Sequence, residues 1–84
     1  MHSVLVIEDN ETMREGMVQI LKKMDVRVAE AGNGEQGLQK FQNNSYDLVI
    51  TDYRMDDIDG MVVLDRIKTQ SPQTEVMIIT AYGS

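Results

Sequence analysis

The sequence contains no cysteine and no tryptophan, one proline (Pro72) and one histidine (His2). Without cysteine there is no disulfide framework and no thiolate metal site, and the simplest setting is a reducing, cytoplasmic one. No cysteine excludes a Cys-His pair, and the one histidine, His2, stands before the first apolar run, far from the acids that follow it, so no Ser-His-Asp triad is expected. Basic side chains are scarce: 8 stand against 14 acidic ones, a net charge of −6. An isolated nucleic-acid or acidic-membrane binder needs a basic face to displace counterions, so this segment is expected to contact neither directly. Long apolar runs are missing as well. Val4–Ile7, Met61–Leu64 and Val76–Ile79 fall far short of the roughly 20 residues of a membrane span. Glu8 and Asp9 end the first run too early for a signal peptide. What remains is one acidic domain of 84 residues, or part of one. A chain of this length buries about 60–65% of its unfolded surface, so its margin of stability is thin.

Two hydrophobic periods alternate along the chain. Val4-Leu5-Val6-Ile7 is a continuous, largely β-branched run, as in a strand buried on both faces. Met13, Met17, Ile20, Leu21 and Met24 recur at spacings of three and four and predict an amphipathic helix, with Asn10 as its N-cap. Such a methionine-rich stripe is either core or an adaptable partner surface, and the spacing favours core. Val26–Ala31 alternates and reads as an edge strand. Asn33 then caps a second helix with Gln36 at the capping-box position and Leu38 and Phe41 facing inward. Tyr46–Thr51 predicts a third strand, and Asp52 to Gly60 an acidic loop. Met61, Leu64 and Ile67 mark a third helix stopped by Ser71-Pro72, and Glu75–Thr80 predicts a fourth strand.

The order βαβαβαβ implies parallel strands with right-handed crossovers, an open doubly wound α/β sheet. Ligands in such sheets bind beyond the carboxyl ends of the strands, where strand order reverses. Glu8-Asp9 follow the first strand, Asp52 the third, and Thr80 closes the fourth. If strands one and three are neighbours, three carboxylates and a hydroxyl converge on one rim. Each acid alone is equally well read as a helix cap. Together they form an all-oxygen set suited to a hard ion, Mg²⁺ above all, and a carboxylate-held Mg²⁺ with open positions is a platform for phosphate.

Val4-Leu5-Val6-Ile7-Glu8-Asp9-Asn10, the Asp52-Tyr53-Arg54-Met55 turn, Asp59-Gly60 and Ile79-Thr80-Ala81 together resemble a receiver domain of a two-component response regulator, with a flavodoxin-like fold. Arg54-Met55 and Thr80-Ala81-Tyr82-Gly83-Ser84 are most similar to receivers of sigma-54-dependent, nitrogen-regulatory-type transcriptional activators. The resemblance implies a phosphoacceptor that catalyses its own phosphorylation and dephosphorylation rather than an enzyme acting on a separate substrate. Asp52 would accept the phosphoryl group of a phosphohistidine on a sensor histidine kinase. Glu8, Asp9, Asp52 and the backbone carbonyl of Arg54 would hold Mg²⁺, and Thr80 would hydrogen-bond the phosphoryl group. An aspartate is already ionised at neutral pH and attacks without a base.

Against the family pattern, Asp56 stands where a proline usually follows the methionine, which is expected to loosen the loop. The chain also stops at Ser84, before the last helix-strand-helix and its lysine. Residues 1–84 are therefore expected to be a single, partial receiver, with strand four an uncovered edge that favours homodimers or wider self-association. Two other readings stay open. One is an interaction module that no longer accepts phosphate. The other is a dinucleotide-binding half-domain. It rests on Gly32-Asn33-Gly34-Glu35-Gln36-Gly37, which matches G-x-G-x-x-G, follows a strand and precedes Asp52 by twenty residues. The plainer reading of that motif is a helix-capping Asn-Gly turn.

Overall fold

A computed structural model describes residues 2–80, so Ala81–Ser84, which the resemblance partly uses, lie outside the described residues. The elements are β1 (His2–Ile7), α1 (Glu11–Lys22), β2 (Val26–Ala31), α2 (Gly34–Asn43), β3 (Leu48–Asp52), α3 (Gly60–Gln70) and β4 (Glu75–Ile79). This is the βαβαβαβ order expected, with strand limits shifted by a residue or two. All pairings are parallel, and the sheet order is β2-β1-β3-β4. The chain leaves β1 for β2 on one side, then returns past β1 to β3 on the other. Strand order therefore reverses between β1 and β3.

β1 is the centre of the domain, and its alternation explains its unbroken apolar sequence. Leu5 and Ile7 point to one face, where Ala31, Phe41, Val49, Val63 and Ile67 join them under α2 and α3. Val4 and Val6 point to the other, with Val18 of α1 and Ile50. Helices thus cover both faces, as a doubly wound sheet requires. Among the described residues β2 has one neighbour and lies at an edge, as its alternation predicts.

The helices cap as their sequences direct. Asn10 Oδ1 accepts from Met13 N, Asn33 Oδ1 from Gln36 N, and Asp59 Oδ1 from Val62 N. Gln36 turns back to Gly32 N rather than to the cap residue itself. The buried stripes differ in part from those predicted. On α1 the sheet takes Val18, with Met17 and Leu21 half-buried, while Met13 and Ile20 (64%) stay exposed; Met24 (57%), expected on this helix, lies beyond its end and is also exposed. On α3, Val63 joins Ile67 inside and Met61 is half exposed. In both helices apolar residues occupy two adjacent stripes, and hydrophobicity alone does not say which one the sheet receives. Backbone packing decides it.

The glycine-rich stretch is also resolved. No described glycine has a positive φ, so these glycines do not serve a left-handed turn. They serve close approach: a Cβ on Gly37 would overlap the Ile7 side chain, and one on Gly34 would overlap Ile58. Ile67→Ala empties a fully buried position of the larger cluster and is expected to lower stability by about 2–5 kcal/mol. Ile20→Ala, on the exposed side of α1, should stay within about 0.5 kcal/mol of the parent. Urea midpoints compared at constant slope measure both.

Candidate functional site

Because β1 and β3 are neighbours, whatever follows Ile7 stands beside whatever ends β3, with Ile7 paired to Thr51. Glu8 continues the ladder, its N–H donating to Ala31 O at 3.1 Å. Its side chain is only 1% exposed. Oε2 accepts from Asn10 N at 3.0 Å, and Oε1 has no partner. Arg14 secures this turn from α1: Nη1 donates to Glu8 O at 2.8 Å and Nε to Glu30 Oε1 at 3.1 Å. Asp52, the last residue of β3, is 7% exposed, and its Oδ1 also lacks a partner. Gly60 allows α3 to start directly against it, since a Cβ there would stand 2.5 Å from Asp52 O. Asp9 is half-buried between them. One carboxylate oxygen from each of Glu8, Asp9 and Asp52 lies within 4.8 Å of the others.

Burial, with Asp52 and Asp9 close by, pushes the Glu8 carboxyl up to about 6, against the opposing pull of Asn10 N–H. Two buried carboxylate oxygens without donors, beside a third carboxylate, form a site short of positive charge. A hard divalent cation takes oxygen ligands of this kind, and no nitrogen or sulfur donor belongs to the group. The residues present therefore fit such an ion on their own chemistry.

Thr80 follows Ile79, the residue paired with Asp52, so it lies at the same rim with its side chain exposed. Arg54 is exposed two residues beyond Asp52. His2 is at the opposite rim, with Nδ1 3.5 Å from Asp47 Oδ2. A polar groove of about 470 Å³ also opens at that rim, between Ser45–Asp47 and Ser71–Thr74. Thr74, buried there, is satisfied by Tyr46 O and Ser71 Oγ. The acid cluster, not the groove, carries unsatisfied chemistry.

Two contributors escape a reading of the sequence. Arg14 carries no signal beyond a helix position one turn into α1. Asp57 sits in the acidic loop, yet its oxygens accept from Gly34 N at 3.1 Å and Glu35 N at 2.8 Å. Burial works against its charge, but those N–H groups and that of Ile58 outweigh it and hold its carboxyl below the usual aspartate value. A carboxylate at the amino end of α2 also stands where a dinucleotide pyrophosphate would have to bind.

Residues 4–84 match the response regulator receiver domain. The chain belongs to this family. It is 40% identical over 81 residues to the transcriptional regulatory protein ZraR of Klebsiella oxytoca, covering 96% of this chain and 18% of ZraR. It is 36% identical over 83 residues to the chemotaxis protein CheY of Bacillus subtilis, covering 98% of this chain and 69% of CheY. The receiver chain thus spans under a fifth of ZraR and about two thirds of CheY. Among solved structures it is similar to the response regulator TrrA of Thermotoga maritima in complex with Mg(2+)-BeF. The TM-score is 0.93 at 34% identity, covering 99% of this chain and 72% of that one. The chain is also similar to a structure of the histidine kinase ThkA in complex with TrrA, with TM-score 0.91 at 33% identity, covering 100% of this chain and 72% of that one. The fold is the flavodoxin-like receiver fold, in the four-stranded extent seen here.

The raised Glu8 carboxyl has a consequence for stability. In the unfolded chain Glu8 ionises near 4.5, in the folded one near 6. Between these values the folded state binds more protons, so stability falls as pH rises. From pH 4.5 to 7 in EDTA, Glu8 is expected to remove roughly 2 kcal/mol. Glu8→Gln should flatten that part of the profile, measured by urea unfolding at each pH.

Proposed function

We propose that the chain is the phosphoacceptor segment of a response regulator, taking a phosphoryl group from a sensor histidine kinase onto Asp52 in the presence of Mg²⁺. The observation that carries this reading is the pair of buried, donorless oxygens on Glu8 and Asp52 beside Asp9. Glu8, Asp9, Asp52 and the Arg54 carbonyl are the residues that would hold the ion. When bound, Mg²⁺ offsets negative charge gathered on the transferring phosphoryl group.

The chain's own residues supply the rest. Asp52 contributes the nucleophile: a carboxylate oxygen forms the new O–P bond as the P–N bond of a phosphoimidazole breaks and its electron pair returns to the ring nitrogen. A carboxylate nucleophile needs no neighbouring base to activate it. Burial at the end of β3 limits bulk water around the reacting oxygen. Thr80, at the same rim, offers its hydroxyl to the phosphorylated form. The chain thus acts as a self-modifying switch rather than on a released substrate. Its similarity to ZraR and the sequence resemblance to sigma-54-dependent activators favour the regulatory domain of a cytoplasmic transcriptional regulator.

Mixing the full chain with Mg²⁺ and acetyl phosphate should add the mass of one phosphoryl group, read by intact mass spectrometry, and Asp52→Asn should abolish it. Asp9→Asn should raise the Mg²⁺ concentration needed by about tenfold, the equivalent of ~1.4 kcal/mol. A folded chain that gains no adduct supports the interaction-module reading instead.

Self-association is the second property we propose. Among the described residues β4 pairs only with β3, and its Met77 is half exposed, which leaves an apolar edge open to a second copy. Light scattering should give a mass that rises with concentration, and Met77→Lys should lower it. A compact monomer at all concentrations refutes self-association.

A further inference from the structure

We propose that Asp57 is a positioning residue for the site: its carboxylate clasps the amino end of α2, and this clasp sets the affinity of the Glu8, Asp9 and Asp52 cluster for Mg²⁺. The proposal rests on the phosphoacceptor reading, in which the loop after Asp52 supplies the Arg54 carbonyl.

Residues 53–59 link the end of β3 to α3, and this loop lacks the proline that would stiffen it. Its backbone is instead tied down by side chains. Met55 and Ile58 pack against the Leu5 and Ile7 core cluster. Tyr53 is held at both backbone groups, its N–H on Ile79 O at 2.8 Å and its O on Gly60 N at 2.7 Å. These contacts anchor the two ends and the inner side of the loop. Asp57 reaches across to another strand-helix junction, the amino end of α2.

That reach is matched on the α2 side. Gly34 N and Glu35 N are free donors of a first helical turn, and Asp57 takes one with each carboxylate oxygen. The negative charge lies at the positive end of the helix, where it is most favourable. Ile58, the next residue, packs where a Cβ on Gly34 would stand, so a glycine is required for the loop to come this close. Donors, charge and space therefore converge on one contact between two segments 23 residues apart. The clasp gives the G-x-G-x-x-G stretch a task within the receiver fold. It also explains why an acid in this loop does not join the acid cluster: Asp57 is absent from the group of Glu8, Asp9 and Asp52.

The loop begins at Asp52 itself. Fixing its middle restricts the backbone from Asp52 to Asp57, which includes the Arg54 carbonyl. Releasing it returns conformational freedom that ion binding must then remove. The effect belongs to affinity, not to the chemical step.

The test uses the full chain as wild type, Asp57→Ala and Asp57→Asn. Mg²⁺ is titrated by calorimetry, and hydrogen exchange at the Gly34 and Glu35 amides is followed by NMR. Asp57→Ala should speed both exchanges and weaken Mg²⁺ binding about tenfold, with the acetyl phosphate rate at saturating Mg²⁺ kept within about twofold. Asp57→Asn retains one acceptor and should fall between. A folded Asp57→Ala that binds Mg²⁺ like wild type overturns the clasp and leaves the phosphoacceptor reading standing. If Asp57→Ala does not fold, Asp57→Asn decides: wild-type affinity overturns the proposal, weaker affinity supports it. A wild type that binds no Mg²⁺ overturns both.

Discussion

Two carboxylates buried side by side with an oxygen apiece left unpartnered are the constraint on which this molecule turns. Ionised carboxylates of like sign, close together and away from water, repel one another and lose hydration. Folding around them without help is unfavourable, and Glu8 answers by holding its proton to about pH 6. A divalent cation answers the same deficit differently, by supplying the missing positive charge. The site is therefore strained by its own electrostatics in a direction that a hard ion relieves. An ion bound this way would tie stability to function, since the groups that weaken the empty domain are those suited to hold it.

Topology creates that proximity. β1 and β3 become neighbours because the chain goes out to β2 and returns on the other side. Glu8-Asp9 and Asp52 are more than forty residues apart in sequence, yet they share one rim because β1 and β3 run parallel in matched register. An antiparallel pairing would place the same acids at opposite ends. The continuous apolar sequence of β1 is part of the same device. It lets this strand sit in the middle, with both faces covered, where its end is shielded from solvent.

Much of this is legible from the sequence, for physical reasons. Unbroken Val4–Ile7 against alternating Val26–Ala31 distinguishes a central strand from an edge. Asn10 and Asn33 announce helix starts because a side-chain oxygen must satisfy the first N–H groups, whereas the Asp59 cap on α3 emerges only from the structure. The acids share a rim because parallel βαβ strands end on one side, but that they meet depends on β1 and β3 being neighbours, which the structure supplies. Other features are not legible. Which of two apolar stripes on α1 faces the sheet depends on backbone packing, so Val18 is buried and Ile20 is not. The role of Asp57 depends on a partner 23 residues away, and no local pattern announces it. The glycines were legible as special but not as to kind: they provide clearance for Ile58 and Ile7, not a turn.

Four acids outside the cluster serve as an internal control on the site. Glu30 has Arg14, Asp47 has Ser3 N and His2, Asp57 has α2, and Asp59 has α3. This chain carries an excess of acids, and these four, outside the cluster, each meet a cation or a backbone donor. Among the described residues, the buried side-chain oxygens left without one belong to Glu8 and Asp52 alone. A general shortage of donors would scatter such orphans through the fold. Their confinement to two touching strand ends, at the point where strand order reverses, means that the deficit is local. A local deficit of positive charge, in the one crevice where this architecture binds ligands, is what distinguishes a binding site from an acidic surface.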